Sequence, residues 1–484
     1  MSIITEPVLT DRTGRDIANA VSSLAAGFWS EKEKHLEPKD VNFYDYDGVI
    51  TNAYTAAEFL ALDAMPANPS HEGLIAQGWN WSFEEAQRYV AAYGSCEIGQ
   101  SYTTTDGKTR LYIEVAETER MSITVQWAQT VANGVTLDWG DGSETETGEA
   151  TGTTLVRLSH TYAQPGAYVV TLDVADGCTM ILGGNTTNNG TNEAATGHSY
   201  GFVCSQYLGG RYPARKLEIG DRVTAIGNSA MIWNTLLRTV TIPTSVTAIY
   251  QYAFLSNRNL LAVVVPRGCT LVGPYAFRTC QSAVAISLPE GLTSLGMAAM
   301  SGCVSLHRVS IPEGVTSMSQ LFRHDYELSR VVVPDSVTSV GAYCFQSCYS
   351  LRHVHYPASA TSVPNYCFHG CHTLTGLELP EGVTSIGTMA FASCFALGTL
   401  TIPSTVTSIG TLALLYGDGY EALHVKATTP PTMTDGTAGW PFSGVAIDAV
   451  IYVPYSEDHS VLEAYLSATG WATLGDQLQE EAEA

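Results

Sequence analysis

Basic residues are scarce. The chain of 484 residues has 23 Lys and Arg against 47 Asp and Glu, a formal net charge of −24. So acidic a chain suits neither nucleic acid nor an anionic bilayer, because both select basic surface. Long apolar runs are missing as well. No stretch of ~18 uninterrupted apolar residues occurs, so no membrane-spanning helix is expected. The first residues, Met1-Ser2-Ile3-Ile4-Thr5-Glu6-Pro7, hold no basic segment followed by an apolar one, so they do not read as a secretion signal. The C-terminus shows no lipidation or sorting motif. Catalytic signatures are also absent: there is no Gly-x-Ser-x-Gly, His-Glu-x-x-His or Walker sequence, and no carboxylate pair stands out. The expectation is a chain with no enzymatic activity, no cofactor, no metal and no catalytic residues.

The charge is unevenly placed. From Leu217 to Ala422 there are nine Arg, no Lys and eleven Asp or Glu, a net of −2, so the remainder carries −22. Glu480, Glu481 and Glu483 read as a solvated tail. Eight of the eleven Cys fall within the same neutral stretch.

Four segments precede that stretch. In residues 1–35, Ile17, Val21, Leu24 and Phe28 form one apolar stripe at helical spacing, suited to packing on a neighbouring domain or to self-association. Residues 36–107 read as a small α+β unit. An alternating run from Val41 ends in Asp47-Gly48, Thr55 with Glu58 makes a capping box, and Ser82 with Glu85 caps a helix that Gly94 ends. Residues 108–183 read as all-β, with Trp139-Gly140-Asp141-Gly142 and His160-Thr161-Tyr162 between strand-like runs. Asp138 and Asp141 could be calcium ligands or turn-formers. Residues 184–216, rich in Gly, Asn and Thr at their start, read as linker and cap.

From Leu217 the chain repeats. Pro243, Pro266, Pro289, Pro312, Pro334, Pro357, Pro380 and Pro403 are spaced by 23, 23, 23, 22, 23, 23 and 23 residues. Thr stands four residues after each Pro, and an aliphatic residue or Met six after. With an atypical copy beginning at Leu217 there are nine repeats over 217–422, then a C-terminal cap and acidic tail over 423–484. A unit this short cannot bury its own apolar face, so the copies should stack as a right-handed solenoid with one parallel strand per turn. Gly273, Gly296, Gly341, Gly387 and Gly410 would permit unusual turn dihedrals. Cys280, Cys303, Cys348, Cys371 and Cys394 form a column with parallel Cβ vectors, which suits buried thiols better than disulfides. His369-Gly370-Cys371-His372 beside Cys367 leaves a metal alternative.

Three resemblances rest on these residues. The pattern Val-Thr-Ser-Ile-Gly…Ala-Phe…Cys…Leu is similar to BspA-like leucine-rich repeats. The Trp139-Gly-Asp-Gly and His160-Thr-Tyr motifs resemble those of PKD domains, which implies an immunoglobulin-like sandwich. Residues Val41–Tyr102 resemble a small domain in structural proteins of gut-bacterial phages. The fold class expected is therefore multidomain and mainly β: a leucine-rich-repeat solenoid, an immunoglobulin-like sandwich and a small α+β N-terminal region.

The candidate site lies on the solenoid strands. His307, Arg308, Arg330, Arg352, His353 and His355 fall on three consecutive turns, in outward columns otherwise filled by small residues such as Ala262, Ala285 and Ser287. The cluster reads either as ordinary paired surface or as a strip for an anion or glycan, with Tyr326, Tyr349 and Tyr356 as stacking partners. Two function classes remain. The first is a tail fibre or receptor-binding component of a virion, assembled in the host cytoplasm. It would bind a host-surface glycan or protein and other tail proteins as a homo-oligomer, a trimer by preference. The second is a bacterial surface or secreted adhesin.

Overall fold

The computed structural model describes residues 36–115, 122–152, 154–183, 202–205, 214–416, 419–434, 439–443 and 449–482. The proposed self-association stripe of Ile17, Val21, Leu24 and Phe28 lies outside the described residues.

The N-terminal unit runs β1 (Val41–Tyr44), β2 (Ile50–Tyr54), α1 (Ala56–Leu60), β3 (Leu74–Trp79), α2 (Phe83–Tyr93) and β4 (Cys96–Thr104). Its sheet has the order β2-β1-β4-β3, with β1 and β4 parallel. Thr55 and Glu58 form the expected capping box, Ser82 accepts the Glu85 N–H, and Gly94 ends α2 in the left-handed region at φ 76°. Phe43 packs against Trp79 and Phe59 at ring distances of 4.8 and 6.0 Å, giving the unit its own small core. Every residue of β4 is buried. A single small sheet cannot do that to one of its strands; the other face of β4 lies on the solenoid.

The next stretch forms two facing sheets from β5 (Thr109–Val115), β6 (Ser122–Gln129), β7 (Val135–Asp138), β8 (Glu146–Thr147), β9 (Val156–Thr161), β10 (Gly166–Val174) and β11 (Met180–Leu182). Trp127, Trp139 and Tyr162 are fully buried between them. Tyr162 Oη donates to the Trp139 carbonyl at 2.9 Å, and His160 Nε2 meets Asp141 at 2.7 Å. Hydrogen bonds from Ser143 and His160 hold the Asp141 carboxyl down to about 2, so this carboxylate is already engaged in shaping its turn.

The two-sheet unit was expected to be separate. Instead both sheets run on into the solenoid. β5 pairs antiparallel with β13 (Ala214–Glu218), following β12 (Val203–Ser205), and β11 pairs parallel with β14 (Val223–Ile226). One contiguous core extends from Leu111 to Leu478. The physical reason is the edge: β5 and β11 would otherwise present unpaired backbone groups, and the first turn of the solenoid has the same problem. Each covers the other.

The solenoid has about 11 turns. All strand pairs along it are parallel, but most turns carry two short strands rather than the one expected. The first column comprises the strands just before each Pro, such as Ala262–Val264 and Arg308–Ser310; the second comprises the pairs that include the recurrent aliphatic residue, such as Leu271–Val272 and Ser294–Leu295. The third side is a ladder of turns. There Tyr252, Phe254 and Ser256 donate their N–H groups to Pro274, Ala276 and Arg278 of the following turn, at 3.1, 2.7 and 2.8 Å. This ladder places non-glycine residues in the left-handed region, including Tyr275 at φ 58° and Ser347 at 61°. The recurrent glycines do not adopt it. Their role is close approach: a Cβ on Gly296 would lie 2.2 Å from Pro274 N, and one on Gly410 2.6 Å from Thr388 N.

Register does not dissolve after Leu423. Ala422–Val425, Val450–Val453 and Leu478–Glu480 continue the first column in parallel. The acidic end is not simply solvated: Glu480 accepts from His459, and Glu481 lies 2.6 Å from Lys426 Nζ and 3.0 Å from His424 Nδ1.

Inside the array, Phe345 and Phe368 stack at 5.2 Å with an interplanar angle of 1°. The five column cysteines each donate a thiol hydrogen bond to a Phe carbonyl at 3.0–3.3 Å. The ten cysteines whose side chains are described are all buried and unpaired. We predict ten or eleven free thiols on denaturation without reductant; a count near one would contradict the arrangement.

Candidate binding site at the junction of the N-terminal unit and the solenoid

The first column of strands faces outward at two positions per strand, four and two residues before Pro. From Ala262 to Val332 these positions hold Ala262, Val264, Ala285, Ser287, Ser310 and Val332, all buried, together with Arg308 and Arg330, which are half-buried. They are buried because β4 and α2 lie across them. A Cβ on Gly99 of β4 would sit 2.7 Å from the Val264 methyls and 3.0 Å from Ser287 Cβ, so glycine is what lets the two backbones meet.

The docking is also polar and keeps the repeat's rhythm. The carbonyls just before Pro266, Pro289 and Pro312 accept hydrogen bonds from Asn80 Nδ2, Trp81 Nε1 and Tyr89 Oη at 3.1, 2.8 and 2.7 Å. The residues just after those prolines join in. Arg267 donates to the Trp79 carbonyl at 3.1 Å, Glu290 accepts from Ser82 Oγ at 2.8 Å, and Glu313 lies 2.8 Å from Arg88. Small and apolar outward residues thus mark a covered face.

The basic cluster is divided by this cover. Arg308, Arg330 and His353 do stack in register on adjacent strands. Arg308, however, donates to the Lys39 carbonyl, and Arg330 reaches Asp40 at 3.3 Å. Both guanidinium groups therefore serve the docked unit rather than a free strip. Facing them from β4 is Glu97, buried, which burial pushes up to about 7 against the pull of Arg308, Tyr44, Asn42 and Arg330. His307 is engaged by the Ser305 carbonyl at 2.6 Å and faces Glu327 at 3.8 Å. Arg352 and His353 are exposed. His355, also exposed, lies 3.2 Å from Asp335. Hydrogen bonds from Ala358 N–H and His355 hold the Asp335 carboxyl below the usual range despite partial burial.

Where the cover stops, a cavity of about 640 Å³ opens, lined on one side by Tyr93 at the end of α2 and on the other by Glu378, with Arg330, His353, His355 and Tyr356 between. The Tyr93 ring is 5.5 Å from that of His355, and Tyr93 Oη accepts the Asp335 N–H at 3.4 Å. The floor is low because Gly376 occupies the outward position held by Arg308, Arg330 and His353 on earlier turns. The regular strand lapses there, leaving one bridge between His353 and Gly376. Tyr356 contributes from beneath, with its hydroxyl donated to the Ser362 carbonyl at 2.7 Å. Tyr326 and Tyr349 are not among the lining residues; they stack on each other at 4.9 Å, and Tyr349 stacks on His372 at 4.6 Å, along the turn ladder. From the sequence Arg330, His353, His355 and Tyr356 were reached, but not Tyr93, Gly376 or Glu378 as lining groups. Gly376 was detectable as the one glycine among the arginine and histidine positions of its column.

Among the described residues no group of three or more His, Cys, Asp or Glu could hold a metal ion, and no helix is long and apolar enough to cross a membrane. Solved structures similar to the chain include a leucine-rich repeat protein of Bacteroides ovatus, 20% identical, aligned over 54% of this chain and 76% of that one with a TM-score of 0.34. They also include a leucine-rich cell surface protein of Faecalibacterium prausnitzii, at 19%, 51%, 86% and 0.27. The leucine-rich repeat protein of T. pallidum is 28% identical over 31% of this chain and 72% of its own, with a TM-score of 0.29. No curated protein matches the chain. The sequence model of the BspA type leucine-rich repeat region matches residues 210–322 and 319–417, in six copies. From 210 to 417, then, the chain carries a BspA-type leucine-rich repeat region.

Proposed function

We propose that the chain is a non-enzymatic recognition protein that binds a bacterial cell surface through the junction cavity and the strand face beyond it, as a phage tail fibre or receptor-binding component. The observation that carries the binding reading is the cavity itself. It combines an aromatic rim, imidazoles, a guanidinium and a carboxylate on a solenoid whose successive turns are hydrogen-bonded to one another. Such a rigid surface gives up little conformational entropy when it binds. The virion setting draws on the likeness of Val41–Tyr102 to a phage structural domain and on the PKD-like motifs around Trp139 and His160. In that setting residues 1–35 would be the segment for self-association, as a trimer, or for contact with another tail protein.

The test is attachment. Arg352→Ala, His353→Ala and His355→Ala combined should reduce binding of the labelled protein to host cells at least fivefold, because all three side chains are exposed on this face. The denaturation midpoint should stay near that of the parent. Binding equal to the parent's at low and physiological salt would remove this face from the contact.

A further inference from the structure

We propose that the junction cavity is a subsite for one carboxylate-bearing sugar unit, a hexuronate or a similar acidic saccharide; this rests on the recognition reading above and specifies its ligand. The lining is two-sided. One wall offers donors of positive or neutral character, the Arg330 guanidinium and the His353 imidazole on adjacent strands in register. The other offers an exposed carboxylate, Glu378, two residues on from Gly376. A ligand with an anionic group alone would suit the first wall and be repelled by the second. A ligand with hydroxyls alone would suit the second and leave the guanidinium's remaining donors unmatched. Arg330 spends one nitrogen on Asp40, end-on at 3.3 Å, and a guanidinium has five donors. An acidic sugar satisfies both walls: its carboxylate meets Arg330 and His353, and its hydroxyls donate to Glu378.

Size and shape agree. About 640 Å³ lies within the ordinary range of roughly 300–1,000 Å³ for small-ligand sites, large enough for a single sugar with neighbouring units leading out through the open side. The ring of Tyr93 at the rim gives a face against which a sugar's C–H groups can pack. Because Tyr93 and Arg330 belong to different parts of the fold, a bound sugar would bridge the N-terminal unit and the solenoid. The site is complete only when the unit is docked.

The experiment uses the full chain and sodium glucuronate, with glucose, acetate and inorganic phosphate in parallel, read by saturation-transfer NMR and titration. Two variants test the site without touching its charges. Gly376→Leu fills the floor; Gly376 lies in the ordinary negative-φ region and its Cβ direction meets only the His353 ring, at 3.5 Å, so the fold should accept the change. Tyr93→Ala removes the rim. Glucuronate should bind the parent, with glucose, acetate and phosphate each at least tenfold weaker, and both variants should lose at least tenfold. Phosphate or acetate binding as well as glucuronate would overturn the proposal, since the sugar ring would then add nothing. So would glucuronate binding unchanged in Gly376→Leu. If glucuronate fails to bind while the parent still attaches to cells through Arg352, His353 and His355, the ligand class is wrong and the recognition reading stands. If attachment is also indifferent to those residues, that reading falls too.

Discussion

Asp325→Asn should make the protein more stable at pH 8, by about 3 kcal/mol, the cost of holding in the folded state a proton that the unfolded chain has given up. Asp325 is fully buried in the column that holds Asn234, Asn257, Cys280, Cys303, Cys348, Cys371 and Cys394 on the other turns. Those neighbours can donate. Asn257 Nδ2 donates to Met231 and Phe254 carbonyls at 2.8 and 2.7 Å, and the thiols donate to Phe carbonyls. A carboxylate cannot. Asp325 Oδ1 accepts the Cys303 N–H at 2.8 Å, but Oδ2 has no partner. Burial pushes this carboxyl well above the ordinary range, despite the N–H groups of Cys303 and Gly302. The native state therefore keeps a proton that the unfolded chain gives up. Its stabilisation is full below the unfolded pKa of about 4 and is lost as pH rises toward the folded value. The difference between variant and parent should thus be near zero at pH 3.5 and grow steadily to pH 8 in denaturant titrations. A difference independent of pH would show that Asp325 does not titrate with folding.

Gly99→Leu should release the N-terminal unit from the solenoid. Its Cβ alone would stand 2.7 Å from Val264, and the rest of the side chain has nowhere to go between two backbones. Overpacking of this kind costs about 1–3 kcal/mol where the surroundings can adjust. Here the adjustment available is for β4 to lift, which would also give up the bonds from Asn80, Trp81 and Tyr89. The unit keeps its own core around Phe43, so it should leave folded. Limited proteolysis should then cut near Asp106-Gly107, with the solenoid intact. Parent-like resistance to protease would mean that β4 is not pressed on the repeats as described. Because Glu97 is held up to about 7 within this contact, the parent's grip should itself loosen as pH rises toward 7: the docked state favours the protonated carboxyl, the released state the ionised one.

The repeat was legible because its physics is local and periodic. Prolines every 22 or 23 residues, with Thr and an aliphatic residue at fixed offsets, leave few ways to bury the apolar positions. The helix caps at Thr55 and Ser82 were legible for the same reason. The second strand of each turn was missed because Ser385–Ile386 and its equivalents are only two residues long, too short for alternation to register. The glycine argument failed because sequence shows that a side chain is missing, not whether dihedral freedom or space is the reason.

The candidate site was half legible. Stacking of Arg308, Arg330 and His353 follows from register alone. What the arginines face does not, since Lys39 and Asp40 lie some 270 to 290 residues away along the chain. One clue was present in the outward columns. Val264 and Val332 stand where a solvent-facing strand position would not favour valine, and small residues surround them. That combination describes an intramolecular seat for β4 better than an open binding strip. Tyr93 had no local signal, because its place at the cavity exists only once the unit is seated.

The N-terminal unit covers the first half of the strand face and leaves the second half open. Ser287 and Thr401 test this directly, since both stand two residues before a Pro in the same outward column. Ser287 is 1% exposed beneath β4, whereas Thr401 is exposed. Each can be changed to Cys singly for maleimide labelling, and the ten native thiols whose side chains are described are buried, so labelling is read against the unaltered parent as background. Thr401→Cys should label within minutes, while Ser287→Cys should remain unlabelled until the unit is displaced, as by Gly99→Leu. Equal labelling of the two cysteines in an otherwise unaltered chain would contradict the account.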